Sequence, residues 1–302
     1  MRLLFISPNR LRLLVPPLPV GLASVVAAVR GEHDVRVLDY MFDSDPKEHL
    51  CRLVGDFQPE VIGLSARNID NQDSLHPVCY FPDDREVVDL LRQVSRAPIV
   101  LGGAAFSIMP GPLMDYLQAD FGIVGEGEDA FRAFLKAYAT RRNFEEVPGL
   151  VWREGGVWKF NPVQRIHDLA RLPGPALEYF TPRLYHEVEG TAKLPGMVPV
   201  QTRRGCPMKC IYCTTPALEG RRVRGWAPEA VAGWLARWHE KWDLTRFYFV
   251  DNFFNCPLDY ARHLCRAIQD LQLPIQYGCL INPALPDPEL FNLMHASGAI
   301  MV

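Results

Sequence analysis

Short apolar runs alternate with longer amphipathic segments through the first 140 residues. The runs end near Gly, Ser, Asp or Pro, as buried parallel strands do, and the segments between them have helical spacing. Five strands with intervening helices predict an α/β fold built on a doubly wound parallel five-stranded sheet. The predicted strands are residues 3–7, 35–40, 61–65, 99–103 and 121–125, and the predicted helices are residues 20–30, 46–56, 83–95, 110–118 and 127–140.

The same alternation resumes at residue 198 and continues to the last residue. It predicts βα units of the kind that build a barrel, with functional groups at the carboxyl ends of the strands. Pro228 stands at the start of the first helix, where proline is favoured. The predicted strands are residues 198–202, 246–252, 275–281 and 299–302, and the predicted helices are residues 228–242, 258–271 and 288–296.

A different pattern separates these two regions. Residues 149–160 alternate apolar and polar positions on both sides of a Glu-Gly-Gly turn, which predicts a β-hairpin. A proline-rich stretch at 172–176 follows, and it is poorly suited to a helix. We therefore predict a first domain at 1–142, a hairpin and linker at 143–197, and a second domain at 198–302.

The loops at the carboxyl ends of the first five strands are long or rich in glycine. The loop at 67–82 is longer than most loops of compact domains, which favours a functional role. Gly102, Gly103 and Ala104 follow the fourth strand, and Gly125, Glu126 and Gly127 follow the fifth. Glycine lets the backbone approach a ligand closely, although glycine is also common in ordinary loops of this kind.

Three cysteines stand close together in residues 204–214, RGCPMKCIYCT, at Cys206, Cys210 and Cys213. Thiolates are soft ligands that select iron-sulfur clusters, zinc or copper(I). Three thiolates on a four-iron cluster leave one iron open to a small chelating substrate. The alternative is a closed zinc site, with Cys256, Cys279 or a histidine as the fourth ligand.

Composition and charge limit the classes of protein in which this cysteine site is expected. The 302 residues carry a net charge of −3, which does not indicate a nucleic-acid partner. The eight cysteines, three of them clustered, are typical of a reduced cytoplasmic protein rather than a disulfide scaffold. No stretch approaches the roughly 20 apolar residues that span a bilayer, and the N-terminal apolar run is too short for a signal sequence.

The cysteine stretch resembles the signature of the radical S-adenosylmethionine (SAM) enzymes, including the aromatic Tyr212 just before Cys213. The resemblance implies a 4Fe-4S cluster on Cys206, Cys210 and Cys213. It also implies that SAM binds the open iron and is cleaved to a 5'-deoxyadenosyl radical. An external one-electron reductant of the flavodoxin or ferredoxin type is then expected as a partner.

Residues 1 to about 140 resemble the cobalamin-binding domain that precedes many radical SAM domains. The resemblance places Ser65, Gly102 and Gly103 around the nucleotide tail of cobalamin, with Ala104 and the Gly125–Glu126–Gly127 segment as further contacts. The Asp-x-His-x-x-Gly motif of other cobalamin domains is missing, since Asn9, Arg10 and Arg12 occupy the loop after the first strand. Cobalt is therefore expected to have no histidine ligand from this loop.

Arg67 and Asn68 are the candidates for the lower face of the corrin ring. A guanidinium has no lone pair for cobalt, so Arg67 would leave this face unligated. The alternatives are that Arg67 pairs with Asp70 or Asp73, and that His76 in the same loop is the ligand.

In the second domain, the resemblance assigns Asp251 and Asn252 to the amino group of SAM. Their oxygens are acceptors suited to an ammonium, although Asp251 could instead cap the next turn. Arg221, Arg222 and Arg224 follow the cysteines and are either contacts for a carboxylate or phosphate or a solvated face.

The expected function is methyl transfer from methylcobalamin to an unactivated carbon or phosphorus of a small-molecule substrate, after hydrogen abstraction by the radical. The alternatives are a cobalamin-dependent cyclisation or rearrangement, and a non-catalytic cofactor-binding or metal-binding fragment. The sequence identifies no catalytic residue. A methylthiotransferase holds a second cluster on three cysteines of its N-terminal domain. Residues 1–197 contain only Cys51 and Cys79, which disfavours that class. Since a radical SAM barrel has about six βα units, we expect an incomplete partial barrel and a truncated chain.

Overall fold

The computed structural model describes residues 1–12, 15–190 and 194–302. The chain divides into two compact units. Unit 1 comprises Met1–Leu11 and Gly21–Ile166, and unit 2 comprises Arg12–Val20 and His167–Val302. Parts of the predicted loop after the first strand (13–14) and of the predicted linker (191–193) lie outside the described residues.

Unit 1 is built on a sheet whose first five strands are parallel, in the order β2-β1-β3-β4-β5. Strand β1 is buried from Leu3 to Ser7, and β3 is buried except at its last residue. Such continuous apolar runs suit a sheet that is covered on both faces. The five strands are β1 (Arg2–Ser7), β2 (Asp34–Asp39), β3 (Val61–Ser65), β4 (Ile99–Gly102) and β5 (Phe121–Ile123).

The predicted hairpin is present, but it extends the sheet of unit 1 instead of standing apart as a connector. Strand β6 (Leu150–Glu154) pairs antiparallel with β5, and β7 (Val157–Phe160) pairs with β6. Gly155 and Gly156 form the turn with positive φ angles of 58° and 83°, the left-handed region that tight hairpin turns need. The edge of β5 thereby gains a partner, so the sheet has seven strands in the described residues.

Helices cover this sheet and bury one apolar side each. In the last of them, Phe131 and Phe134 pack against Phe5 and Phe121 at ring-centroid distances of 5.1 and 4.9 Å. The helices are α1 (Val20–Val29), α2 (Pro46–Phe57), α3 (Phe81–Val94), α4 (Ala104–Ile108), α5 (Pro110–Leu117) and α6 (Gly127–Thr140).

Unit 2 contains a second parallel sheet, in the order β13-β12-β11-β8. Its core is aromatic, with the rings of Phe249 and Tyr277 5.0 Å apart in an edge-to-face arrangement. The elements are α7 (Pro182–Glu187), β8 (Val198–Val200), β9 (Arg203–Arg204), α8 (Thr215–Leu218), β10 (Arg224–Gly225), α9 (Pro228–Trp242), β11 (Arg246–Phe249), α10 (Leu258–Asp270), β12 (Gln276–Cys279), α11 (Pro288–Ala296) and β13 (Ala299–Met301).

The observed strands of unit 2 are shorter than predicted at their carboxyl ends. Strand β11 stops at Phe249 because Asp251, predicted as part of it, accepts backbone N–H groups from Thr202 and Arg203. Val200, Phe249 and Cys279 are neighbours across the sheet. The loops that follow them therefore leave from one edge.

None of the helices in the described part of the chain is long and apolar enough to cross a membrane.

Candidate functional site

The carboxyl ends of β3 and β4 form a cradle in unit 1. Ser65 and Gly102 are partners in the register of these strands. Gly103 has φ +98°, and a Cβ there would lie 2.5 Å from the carbonyl oxygen of Ala66, so the position requires glycine. A Cβ on Gly102 would meet nothing within 4 Å. The structure thus brings Ser65, Gly102 and Gly103 together beside open space, with the exposed Ala104 next in the chain.

The loops after β1 and β3 meet at the point where the strand order reverses, which is where ligands of such sheets bind. Asn68 Nδ2 donates to Asn9 Oδ1 at 3.0 Å, and Arg67 Nη1 donates to Asn68 Oδ1 at 3.4 Å. Asn9 Nδ2 is buried with no hydrogen-bond partner among the described residues. The sequence places Asn9 in the loop that lacks the histidine motif, but the burial of its amide nitrogen depends on long-range packing.

His76 lies in the long loop after β3 and is exposed. Its Nδ1 is 3.7 Å from Asp73 Oδ2, and Asp73 Oδ1 also accepts the backbone N–H of Leu75 and His76. Asp73 therefore holds the turn around His76.

Gly125, Glu126 and Gly127, predicted as further cofactor contacts, have close neighbours within unit 1. A Cβ on Gly125 would lie 2.7 Å from Val163, and one on Gly127 would lie 2.8 Å from Val25. The Glu126 carboxylate is buried and accepts the backbone N–H of Ile166 at 2.6 Å. Side chains of unit 1 thus occupy the Cβ side of both glycines, and Glu126 anchors the segment that follows the hairpin.

The cysteine loop leaves the carboxyl end of β8. Cys206 is buried, whereas Cys210, Tyr212 and Cys213 are exposed, Tyr212 to 86%. Among the described residues, no three or more Cys, His, Asp or Glu side chains are arranged to hold a metal ion. The three predicted ligands share one loop, but their thiols are not gathered into a ligand set.

Cys256 and Cys279, the alternative zinc ligands, are not gathered with the three cysteines either. Burial raises the pKa of the Cys279 thiol to about 12, and burial also raises the pKa of the Cys256 thiol. Both thiols therefore favour the protonated form at neutral pH.

A short antiparallel pairing closes the cysteine loop. Arg204 in β9 pairs with Arg224 in β10, and Cys206 N–H donates to the carbonyl oxygen of Gly220 at 3.0 Å. Gly205 has φ +95°, and a Cβ there would collide with the Arg222 carbonyl. The Cys206–Cys213 segment is therefore held at both ends.

Glu219 is a residue of this region that the sequence interpretation missed. Its Oε1 accepts from Gln201 Nε2 at 2.9 Å. Its Oε2 accepts from Gly205 N–H at 2.9 Å and from Asn252 Nδ2 at 2.8 Å. Asn252, a predicted SAM contact, thus lies against the start of the cysteine loop. The only signal in the sequence is that Glu219 is the single acidic residue in 203–224.

Asp251 does not present a carboxylate to a ligand, contrary to the prediction. It is 4% exposed and accepts from the backbone N–H groups of Thr202 and Arg203 at 2.7 and 2.9 Å. The Arg203 guanidinium donates to it at 2.9 Å, and the Thr202 hydroxyl also donates to it. With both oxygens engaged inside the unit, Asp251 joins two loops of the sheet edge.

The three arginines after the cysteines have different settings. Arg224 is buried and donates to the Glu219 carbonyl at 2.6 Å. Arg221 is exposed and donates to the Met208 carbonyl at 2.9 Å, and Arg222 is exposed. Only Arg221 and Arg222 therefore match the predicted solvated face.

The two units thus define an α/β protein with a glycine cradle at one parallel sheet and a three-cysteine loop at another. Residues 12–135 match the sequence profile of the B12 binding domain. "Uncharacterized methyltransferase PH0819" of Pyrococcus horikoshii is 26% identical over 78% of this chain and 49% of its own length. Cytidylyl-2-hydroxyethylphosphonate methyltransferase of Streptomyces wedmorensis is 24% identical over 94% of this chain and 60% of its own length.

Among solved structures, the radical SAM methyltransferase TsrM of Kitasatospora setae, with cobalamin and a [4Fe-4S] cluster bound, superposes with a TM-score of 0.83. It is 22% identical, and the match covers 99% of this chain and 59% of TsrM. The fold is therefore the same. These matches confirm the resemblance to the cobalamin-dependent radical SAM enzymes and the predicted α/β fold class. The chain spans about half to three-fifths of the length of these relatives.

Proposed function

We propose that this chain provides the cobalamin-binding and SAM-binding parts of a cobalamin-dependent radical SAM methyltransferase. Residues 1–142, with the hairpin that extends their sheet, are assigned to the cobalamin-binding part, the segment up to 197 to the linker, and 198–302 to the radical SAM part. The main support is that the Cys206, Cys210 and Cys213 loop leaves a parallel β-strand in a chain that also matches the B12 binding domain.

The cradle of unit 1 fits cobalamin. Gly102 leaves space that any larger residue would fill, and Ser65 stands beside it with a hydroxyl that can donate to a ligand. Asn9 Nδ2, buried and without a partner among the described residues, is a donor suited to an amide carbonyl of the corrin ring. Arg67 and Asn68 border the same strand-order reversal and are assigned to the lower face of the ring.

The donor set of unit 2 fits a 4Fe-4S cluster. Three thiolates on one short loop are soft ligands for three irons, and Cys210 and Cys213 are accessible for assembly. Asn252 is assigned to the amino group of SAM, and Tyr212 to the same cofactor region. Asp251 holds the two loops together and is not assigned to SAM.

When bound, the cluster and SAM supply a hydrogen-abstracting radical, and cobalamin carries the methyl group that an unactivated carbon or phosphorus receives. The residues described here bind and orient these groups. The Arg203–Asp251 pair holds the cysteine loop against the loop after β11. Gly102 and Ser65 keep the edge of the first sheet open. A small-molecule substrate, a flavodoxin-type or ferredoxin-type electron donor and a cytoplasmic location complete the proposal.

The proposal is tested by anaerobic reconstitution of the 302-residue chain with iron, sulfide and hydroxocobalamin. We expect about four irons and a brown chromophore, together with one bound cobalamin. The Cys206→Ala/Cys210→Ala/Cys213→Ala variant should lose the iron but keep the cobalamin. Cys51→Ala is the matched control and should lose neither.

Three outcomes would count against the proposal. Stoichiometric zinc in place of iron would establish the closed zinc site. A chain that binds iron but no cobalamin would contradict the role proposed for unit 1. If the reconstituted protein binds SAM but forms no 5'-deoxyadenosine with a strong reductant, the chain is a cofactor-binding module without radical chemistry.

A further inference from the structure

Glu219 lies between the cysteine loop and β10, where its carboxylate receives three hydrogen bonds. The donors come from three parts of unit 2: Gln201 after β8, Gly205 before the first cysteine, and Asn252 after β11. A carboxylate can accept about four hydrogen bonds, so this one is nearly saturated. Glu219 therefore connects the start of the cysteine loop to the loop that carries Asn252.

This contact determines the orientation of the Asn252 amide. An ionised carboxylate can only accept hydrogen bonds, so the amide nitrogen of Asn252 must be the end that faces Glu219. The Nδ2 group also lies 3.4 Å from the Gly205 carbonyl oxygen, a second acceptor on the same side. The amide oxygen is then the end left for a ligand, and an oxygen is what an ammonium group requires.

The same side chain supports the backbone that leads into Cys206. Gly205 N–H donates to Glu219, and the next N–H, that of Cys206, donates to the carbonyl oxygen of Gly220. Two consecutive amides at the entrance of the cysteine loop are thus held by two consecutive residues at its exit. Of the two, only the Gly205 N–H is held by a side chain, that of Glu219.

Charge favours this arrangement. Residues 203–224 contain six arginines and lysines, and Glu219 is their single carboxylate. Arg224 also donates to the Glu219 backbone carbonyl. A hydrogen bond to a charged acceptor is stronger than one between neutral groups.

We propose that Glu219 is a positioning residue for SAM: it fixes the Asn252 amide with its oxygen available to the amino group of SAM. This inference rests on the proposed function, because it takes Asn252 as a SAM contact.

The test is SAM affinity, measured by calorimetry on the reconstituted 302-residue chain. Glu219→Met keeps the length of the side chain but removes its acceptors, and it should raise the Kd for SAM about tenfold, the effect of one lost hydrogen bond to a charged group. Glu219→Gln keeps one acceptor oxygen and should lie between the wild type and Glu219→Met. Glu240→Met, at an exposed position of α9, is the matched control and should bind SAM normally.

A double-mutant cycle separates positioning from a general loss of structure. If Glu219 acts through Asn252, Glu219→Met should add little to the loss caused by Asn252→Ala. Additive losses would overturn the inference, as would unchanged SAM affinity in Glu219→Met. A wild-type chain that binds no SAM after loading with iron would instead contradict the proposed function.

Variants at Asn252 test the contact even if Glu219→Met fails to fold. Asn252→Asp places a second carboxylate against Glu219, so it should lower the thermal midpoint of the cofactor-free chain more than Asn252→Ala does. Equal midpoints would contradict the contact between Asn252 and Glu219.

Discussion

The carboxyl-end edges of the two sheets are built in opposite ways. In unit 1 the edge between β3 and β4 is made of backbone and small residues, and Gly102 leaves space beside Ser65. In unit 2 the corresponding edge is filled by polar side chains, with Arg203 and Asp251 bonded to each other and buried. Substitutions that add a side chain should therefore disturb the first edge, and substitutions that remove a charged or polar partner should disturb the second.

Their buried carboxyl groups differ as well. Asp251 has the Arg203 guanidinium and two backbone N–H groups as partners. Asp84, in the first turn of α3, is 6% exposed, and burial together with the neighbouring Asp83 raises its pKa to about 7. Unit 2 thus keeps a buried charge, whereas unit 1 keeps a buried carboxyl that favours the neutral form.

The largest effect is expected from Asp251→Asn. It leaves the Arg203 guanidinium buried without its counter-charge, which should lower the free energy of unfolding by about 3–5 kcal/mol. Chemical denaturation at pH 7 measures this loss. Asp259→Asn, at an exposed position of α10, should change stability by less than about 0.5 kcal/mol. Similar values for the two variants would contradict the role given to the buried pair.

Asp84→Asn should stabilise the protein, and the gain should depend on pH. The unfolded Asp84 carboxyl ionises near its ordinary value of 3.8, but the folded one ionises near 7. The wild type therefore loses stability as pH rises between these values, and the variant does not. The gain should be near zero at pH 3 and level off above pH 7, at most about 4 kcal/mol.

Thermal unfolding of Asp84→Asn and wild type across this pH range measures that gain. The exposed neighbour Asp83→Asn is the control and should give a much smaller gain, by lowering the pKa of Asp84. A gain for Asp84→Asn that does not vary with pH would show that the carboxyl is ionised in the folded protein.

Gly103→Ala should lower the free energy of unfolding by about 2–3 kcal/mol. Its φ of +98° is unfavourable for a residue with a Cβ, and that Cβ would press on the Ala66 carbonyl. Denaturation of the cofactor-free chain gives the value directly. Loss below about 0.5 kcal/mol would mean that this backbone turn is not required for folding.

Gly102→Ala, one residue earlier, should have the smallest effect on stability, within about 0.5 kcal/mol, because its Cβ meets no protein atom within 4 Å. It should nevertheless weaken cobalamin binding at least about tenfold, since the added methyl occupies the space assigned to the ligand. Spectroscopic titration with hydroxocobalamin measures this affinity. Unchanged affinity would place cobalamin away from the Gly102 cradle.

Much of the fold could be predicted because it depends on local pattern. The apolar runs 3–7, 61–65 and 99–103 each contain an observed strand nearly in full. The proximity of Ser65 to Gly102 also follows from the sequence, since adjacent parallel strands end at one edge. The resemblance of the cysteine stretch required only three cysteines and one aromatic residue at fixed spacing.

What could not be predicted depends on contacts between distant residues. Asp251 resembles an exposed acceptor at the end of a strand, and only its pairing with Arg203, 48 residues earlier, shows that it is buried. The sequence likewise does not show that Val163 lies against Gly125 and Val25 against Gly127. Local patterns contain no information on which partner fills such a space.

Unit 2 is built from two separate segments of the chain, which affects how it folds during synthesis and where the protein can be divided. Its first segment, Arg12–Val20, leaves the ribosome with unit 1, long before the chain from His167 onwards is synthesised. The first segment of unit 2 therefore has to wait for the residues from His167 onwards before it can join the rest of that unit. For the same reason, a chimeric protein in which residues 1–166 are replaced would lose part of the second unit along with the first.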